Sequence, residues 1–198
     1  MRDILYKNHT RRVAVAEAIL LMKSDSVNLV QTNTGPKKDV LPTARAAGYL
    51  AVKNTPGAIP HCHPLPIENI SIDFEFEKGE ADRGQIRILI EVETIYKTGC
   101  EVEAMHGASL VALTIYDMLK PVDKTVEIGG VRLLRKRGGK SDFAKQVNSG
   151  YRAAVIVCSD SVSAGKKEDK AGKLVVKKLE GMGLHIANYT VIPDHVER

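Results

Sequence analysis

"NISIDFEFEKGEADRGQIRILIEVET" (69–94) decides the fold of this chain. In its first part Ile70, Ile72, Phe74 and Phe76 alternate with Ser71, Asp73 and Glu75; in its last part Ile86, Ile88, Ile90 and Val92 repeat the alternation. A period of two lines one face of a strand with apolar side chains. The turn-rich "KGEADRG" (78–84) then joins the two runs as an antiparallel hairpin with one face buried. Helices to cover that face stand on both sides in sequence. "HTRRVAVAEAILLM" (9–22) reads as a helix, with Thr10 as its cap and apolar residues at mixed spacings of three and four. "PTARAAGYLAVKN" (42–54) reads as a second, opened by Pro42 and closed before Thr55-Pro56. "EAMHGASLVALTIYDMLK" (103–120) is a long third helix, ended by Pro121, and "TVEIGGVRLLRK" (125–136) is expected to form a second hairpin turning at Gly129-Gly130. Helices on one face of an antiparallel sheet make an α+β domain, placed at residues 1–142.

The texture then changes. "SDFAKQVNSG" (141–150) is polar and aperiodic, and residues 143–150 are expected to be a linker. "YRAAVIVCSD" (151–160) is a continuous apolar run of the buried-strand kind. The loop "SVSAGKKEDKAG" (161–172), the helix "KLVVKKLEGMG" (173–183) and the strand "HIANYTVI" (185–192) follow, which is how a parallel, doubly wound domain opens. A stretch of 151–198 is too short to close such a core, which needs on the order of 100 residues, so this second domain is expected to be incomplete.

Composition narrows the function. The 198 residues are 43% hydrophobic and 27% charged, with a net charge of +5, which suggests an anionic partner. The cations are not gathered into a tail; the densest cluster is "RLLRKRGGK" (132–140), and aromatics are too scarce to interleave with it as in a single-strand binder. A small phosphorylated ligand fits this pattern at least as well as nucleic acid, and a plainly solvated basic face is the bland reading. Three cysteines (62, 100, 158) at wide spacing imply no disulfide framework. "MRDILYKNHTRR" carries no apolar signal region, and no run is long enough to cross a membrane, so a cytoplasmic protein with reduced thiols is expected.

Several stretches carry chemistry. In "IPHCHPLP" (59–66), His61 and His63 share a side of an extended segment while Cys62 faces away. A zinc clasp would need a second ligand pair, and only Cys100, His106 and the glutamates are candidates. A proline-stiffened turn with exposed imidazoles and a functional loop with a pre-organised imidazole are the other readings. "GCEVEAM" (99–105) carries Glu101 and Glu103, which on a strand would point the same way, repel, and raise one pKa as acid–base work requires; a solvated strand edge is the plain reading. "TIYDMLKPVDK" (114–124) sets Asp117, Lys120 and Lys124 on one helix face, by default an exposed ion pair. "GPKKDVLPTAR" (35–45) adds Lys37 and Lys38 in a loop, and "RKRGGK" (135–140) is a basic glycine loop without P-loop spacing. Together these groups suit acid–base chemistry on a polyphosphorylated small molecule.

"KKDVLPTARAAG", "PHCHPLP", "KTGCEVEAMHGASLVALTIYDMLK" and "VRLLRKRGGKSDF", in that order over nearly all of 1–143, resemble the MoaC family, the cyclic pyranopterin monophosphate synthases of molybdenum-cofactor biosynthesis. The resemblance implies conversion of a cyclic dihydro-GTP intermediate to cyclic pyranopterin monophosphate with release of pyrophosphate. It also implies a ferredoxin-like α+β fold, a hexamer built as a trimer of dimers with active sites where subunits meet, and no metal or cofactor. It puts the catalytic aspartate at Asp117 with Lys120 beside it. The substrate loop becomes His61-Cys62-His63, with His63 as its functional imidazole, and Val102 and Glu103 contact substrate beside Glu101. Lys37 and Lys136 match family lysines, and Arg12 an arginine of the first helix. The cations Lys37, Lys120, Lys136 and Arg12 would neutralise departing pyrophosphate, and Asp117, Lys120, His63 and the glutamates would move protons. The chain departs from the family at His61, where many relatives carry an apolar residue, and at His106-Gly107, where small or hydroxyl residues are usual. A glycine there costs about 1 kcal/mol of helix stability relative to alanine. A catalytically silent pterin- or nucleotide-binding module is the alternative, and the retained Asp117, Lys120, His63 and Lys37 argue against it.

The tail "AAVIVCSDSVSAGKKEDKAGKLVVKKLEGMG" is similar to the start of the molybdopterin-binding domain of MogA/MoaB proteins, through the motif "SDSVSAG…D.AG". That resemblance implies a fusion of two pathway steps, with the second ending after its first strand–helix unit.

Overall fold

The hairpin at 69–94 forms as its alternation dictates. The computed structural model describes residues 1–79, 82–139 and 151–194, so the expected linker at 143–150 lies outside the described residues. The chain divides into two compact units, the first being Met1–Gly139. Its elements run β1 (Thr10–Lys23), α1 (Ser24–Thr32), α2 (Val40–Lys53), a short α3 (Thr55–Ala58), β2 (Asn69–Lys78), β3 (Arg83–Tyr96), α4 (Glu101–Leu119) and β4 (Glu127–Arg137). The strands form one sheet in the order β2-β3-β1-β4, and every neighbouring pair is antiparallel. Ile72 lies opposite Ile90 and Phe74 opposite Ile88, so the apolar sets of both strands of the hairpin share the face covered by the helices.

The sequence expectation fails at residues 9–22, which form strand β1 rather than a helix. Ala14, Ala16, Ala18, Leu20 and Met22 alternate strictly and are buried against the helical layer. Val13, Val15, Ile19 and Leu21 occupy the opposite face, so the strand is apolar on both sides and its period of two is masked. That double-sided pattern belongs to a central strand, and β1 lies between β3 and β4. Glu17, on the face away from the helices, is 2% exposed. Burial would raise its carboxyl, but hydrogen bonds from the guanidinium groups of Arg87 and Arg132 outweigh burial and hold it below its ordinary value.

The second hairpin also fails to appear. Residues 127–137 are one strand, β4, antiparallel to β1 with register shifts between Val15 and Ala16 and between Ile19 and Leu20. Ile128 pairs with Leu20 and Gly130 with Ile19, which leaves Gly129 unpaired. The glycine pair therefore marks a bulge that bends the strand, where the sequence suggests a turn that reverses it.

Glycine has a different use between the helices. A Cβ at Gly107 of α4 would come within 2.6 Å of Val52 Cγ2 on α2, and one at Gly48 within 2.6 Å of Val111 Cγ2. The residue that weakens α4 locally lets α2 and α4 pack at close range. The far end of α4 is tied down by Asp123, whose carboxylate accepts from the Lys23 amide at 3.0 Å and the Ser26 hydroxyl at 2.7 Å. It also accepts from the Thr125 amide and hydroxyl at 2.8 and 2.6 Å. Burial opposes the charge on Asp123, but these four bonds overcome it and hold the carboxyl well below the usual range.

The second unit has β5 (Arg152–Cys158), a single turn α5 (Asp160–Ser163), α6 (Lys170–Gly181) and β6 (His185–Ile192), with β5 and β6 parallel. Asp169 caps α6 by accepting from the Gly172 amide at 2.8 Å, and the Tyr189 hydroxyl donates to the same carboxylate. Val155 is buried but Ile156 is 63% exposed, so β5 is covered on one face only. Among the described residues no helix is long and apolar enough to cross a membrane.

Candidate active site at the two ends of one helix

The residues singled out in the sequence gather at opposite ends of α4. At its N-terminal end Cys100 precedes the helix and Glu101 and Glu103 fill the first turn, where carboxylates are favoured by the helix dipole. The expectation of a strand here is wrong, and the consequence is chemical. Two positions along a helix turn the side chain through roughly 200°, so the two carboxylates do not point the same way. Glu101 faces outward and meets Lys136 of β4 at 3.0 Å. Glu103 turns inward and is 3% exposed. Burial pushes the Glu103 carboxyl up to about 7, with the charge of Glu101 adding a smaller share. Desolvation, rather than the repulsion expected between neighbouring carboxylates, is the larger cause.

Facing this turn is the proline-rich loop. The cleft between them has a volume of about 410 Å³ and is lined by His61, Cys62 and His63 from the loop and by Glu101, Val102 and Glu103 from α4. All three loop residues line it, so Cys62 does not turn away. Burial, then the charge of Glu103, raises the Cys62 thiol. Burial likewise carries the Cys100 thiol up to about 12. Both sulfurs stay protonated near neutrality and are poor nucleophiles. Among the described residues no group of three or more histidine, cysteine, aspartate or glutamate side chains is placed to hold a metal ion.

The loop is held from behind. Thr55, wholly buried at the start of α3, has its hydroxyl within hydrogen-bond distance of the Ala51 and Val52 carbonyls. The same oxygen lies 3.1 Å from Nδ1 of His106, one turn beyond Glu103 on α4. The Ile59 amide returns to the Thr55 carbonyl and the Cys62 amide to the Ile59 carbonyl. His106 thus braces the root of the His61–His63 loop against α4.

Arg12 comes from strand β1, not from a helix, and stands beside the turn after β4. Gly138 and Gly139 both have φ of +97°, and a Cβ on Gly139 would strike Arg12 Nη1. Glycine is required there by the backbone and by the guanidinium together. Arg12 Nε is buried and has no hydrogen-bond partner among the described residues.

The C-terminal end of α4 holds the other group. Asp117 Oδ1 lies 2.7 Å from Lys120 Nζ, and Asp117 Oδ2 lies 3.5 Å from Lys37 Nζ. Lys37 also donates to the Asp117 carbonyl at 3.2 Å. It is presented by a loop closed on itself: the Asp39 amide donates to Asn33 Oδ1 at 2.7 Å and Asn33 Nδ2 to Asp39 Oδ1 at 3.1 Å, both residues with positive φ. The hydrogen bond and charge of Lys120, then the charge of Lys37, hold the Asp117 carboxyl below its ordinary value. Lys124 lies past the end of the helix and makes no ion pair with Asp117. From Glu103 to Asp117 the helix rises about 21 Å.

The first-turn and loop residues of the cleft were expected; Met1, Arg2, Ile4 and Lys7, which line it too, were not. The N-terminal stretch has neither periodicity nor a motif, and only the fold brings it there.

Residues 1–139 match the MoaC family. The chain belongs to that family. It is 45% identical over 141 residues to the cyclic pyranopterin monophosphate synthase of Clostridium perfringens, covering 71% of this chain and 87% of that protein. The synthase of Corynebacterium glutamicum is 47% identical over 141 residues, again 71% of this chain and 87% of the relative. The molybdenum cofactor biosynthesis bifunctional protein of Chlorobaculum tepidum is 41% identical over 195 residues, 98% of this chain, which spans 60% of that protein. This third likeness continues through the second unit.

Proposed function

We propose that this MoaC-family enzyme is a cyclic pyranopterin monophosphate synthase, converting a cyclic dihydro-GTP intermediate to cyclic pyranopterin monophosphate with release of pyrophosphate. The observation that carries the reading is the pair of unlike half-sites on α4. One offers the imidazole of His63 and a buried carboxyl, Glu103, able to give or take a proton near neutral pH. The other offers an ionised aspartate between two lysines. Proton transfer needs about 2.6–3.2 Å between heavy atoms, so groups about 21 Å apart cannot serve one substrate from a single copy. The working site joins the N-terminal end of α4 from one copy to the C-terminal end from another. This supports an assembly of two or more copies, and the family resemblance makes that assembly a hexamer built as a trimer of dimers. Association is also favoured by the apolar side chains of Val15, Leu89 and Leu134 in a shallow depression on the sheet face away from the helices.

In this assembly Asp117 and Lys120 move protons at the ring being opened and reclosed, with His63, Glu101 and Glu103 on the opposite side. Lys37, Lys136 and Arg12 gather the phosphate oxygens, where positive charge aimed at a departing anion lowers the barrier. His61, Cys62 and Val102 shape the pocket. No metal or cofactor is assigned a part, and neither nucleic acid nor a membrane is a partner.

The strand order β2-β3-β1-β4 with antiparallel neighbours supports the ferredoxin-like arrangement for a domain at 1–142. The parallel pair β5–β6 joined through α6 supports the opening of a doubly wound, MogA/MoaB-like domain at 151–198, beyond a linker at 143–150. The free thiols fit a reducing cytoplasm.

The test is turnover of the cyclic dihydro-GTP intermediate, followed by pyrophosphate release and by the cyclic phosphate product. The wild-type protein is expected to form both, and Asp117→Ala to lose at least about 10³-fold in kcat while remaining folded. An assembled wild-type protein that binds the intermediate without converting it would move the reading to a silent binding module.

A further inference from the structure

We propose that Thr94, near the end of β3, is a positioning residue for the reaction: its buried hydroxyl fixes the far root of the His61–His63 loop, and with it the place of the His63 imidazole in the cleft. The inference deepens the synthase reading and rests on it for the identity of the reaction; the geometry of the loop stands without it.

Thr94 ends the row of β3 side chains that face the helices. Ile86, Ile88, Ile90 and Val92 are wholly buried, and so is Thr94, which brings a hydroxyl into an otherwise apolar row. A buried hydroxyl needs a partner. Here the partner is the Pro66 carbonyl, to which Thr94 Oγ1 donates at 2.6 Å. The neighbouring backbone shows why a side chain makes this tie. The β2–β3 ladder begins with Asn69 opposite Glu93, and the Glu68 amide donates to the Glu93 carbonyl at 2.9 Å. Two residues further back, Pro66 has no amide to give, so the ladder cannot run on through it. Thr94 sets a side-chain bond where proline forbids a ladder bond.

The loop that carries His63 is thereby tied at both roots. On the near side the Ile59 amide returns to the Thr55 carbonyl at 2.9 Å and the Cys62 amide to the Ile59 carbonyl at 3.0 Å. On the far side the Thr94 bond holds Pro66, the third residue after His63. Between these ties Pro64 disfavours the helical region for His63, and Leu65 packs against the core. Without the Thr94 bond the next backbone tie on this side is at Glu68. Thr94 itself does not line the cleft, so it acts through the loop. A proton passes only across about 2.6–3.2 Å, and a displacement of about 1 Å costs up to about 10²-fold in rate. A loop held at one root alone would carry its imidazole away from that distance.

The experiment compares wild type with Thr94→Val, which removes the hydroxyl and nearly keeps the shape, and with Thr94→Ser, which keeps the hydroxyl. Two quantities are read: turnover of the cyclic dihydro-GTP intermediate, and the rate at which iodoacetamide alkylates Cys62, followed by peptide mass spectrometry at one pH. Cys62 is half-buried in the loop, and the buried Cys100 serves as the gauge of general unfolding. Thr94→Val is expected to lower kcat by about tenfold or more with KM within about threefold. It should speed alkylation of Cys62 by about five- to tenfold and leave Cys100 unchanged. Thr94→Ser should restore both quantities to within about threefold of wild type. If Thr94→Val does not fold, Thr94→Ala takes its place, since it differs from Thr94→Ser by the hydroxyl alone. Wild-type kcat in the variant without the hydroxyl, a loss confined to KM, equal acceleration at Cys62 and Cys100, or a serine variant as impaired as the valine or alanine one overturns the proposal. So does a loss of kcat with Cys62 alkylated at the wild-type rate. If the wild type does not turn over the intermediate, the synthase reading fails separately. The alkylation rates then decide for Thr94: acceleration at Cys62 alone supports the tie, and an unchanged rate overturns it.

Discussion

The two ends of α4 hold their carboxylates in opposite conditions. Glu103, at the start, is buried beside the loop, meets no side-chain cation among the described residues, and keeps its proton to a pH of about 7. Asp117, near the end, stands in solvent between Lys120 and Lys37 and is ionised throughout the physiological range. Burial decides the first and paired cations the second. One helix thus carries a carboxyl that is part-protonated near neutrality and, about 21 Å further along, one that rests ionised. The difference teaches that neither end is a complete acid–base site, and that the pairing of unlike ends is the unit to test.

The largest effect should come from separating the ends genetically. His63→Ala and Asp117→Ala proteins should each be nearly inactive, yet after dissociation and reassembly as a mixture they should regain about a quarter of wild-type turnover, the share of shared sites with both halves intact. Mixtures as inactive as their parents would place both ends in the service of one copy. Next, Glu103→Gln should lower kcat by roughly 10²-fold or more and remove a limb of the pH–rate profile near neutrality, whereas Glu101→Gln, whose carboxylate is paired with Lys136, should cost about tenfold or less and leave that limb in place. Equal losses in the two variants would mean that burial of Glu103 has no catalytic meaning.

Stability gives a further contrast. Glu103 has an ordinary value of 4.5 and a folded value of about 7, so between these pH values the folded state holds the extra proton and stability declines as pH rises. Asp123 behaves in the opposite sense. Its folded pKa is depressed below the ordinary 3.8, so its contribution is full above that pH and is lost as pH falls through the folded value. Denaturant melts from pH 3 to 8 should show Glu103→Gln flattening the slope between 4.5 and 7. Asp123→Asn should cost about 1–3 kcal/mol at neutral pH, with its deficit shrinking in acid. The smallest effect is assigned to His106→Ala, about 1 kcal/mol from the lost contact to Thr55, with KM raised a few-fold as the His61–His63 loop loosens.

Much of this arrangement is legible in the sequence, for physical reasons that also mark where legibility stops. The β2–β3 hairpin could be read because only one of its faces is buried. In β1 both faces are apolar, and alanines that favour helices sit at the positions where the sheet needs small side chains beneath α4, so local pattern and propensity misled together. Gly129-Gly130 satisfies the chemistry of a turn, but the pairing of β1 on both sides of it keeps the strand continuous. The candidate residues themselves were found by motif. What could not be found was their division between two ends, because the phase and length of α4 matter there: taking Glu101 and Glu103 for strand residues made them equivalent, and the helix makes one of them a surface ion pair and the other a buried acid. Arg2 and Lys7 depend on tertiary contacts alone.

Because α4 carries both half-sites, its length works as a ruler for the assembled enzyme. One residue inserted in its exposed middle, near Leu113, would advance Asp117 by about 1.5 Å and turn it by about 100° relative to Glu103. Lys37, delivered by a separate loop, would stay behind. A chain altered in that way could keep every side chain named above and still present each neighbour with an aspartate out of phase, so the exposed middle of α4 should tolerate substitutions for catalysis where it does not tolerate insertions and deletions.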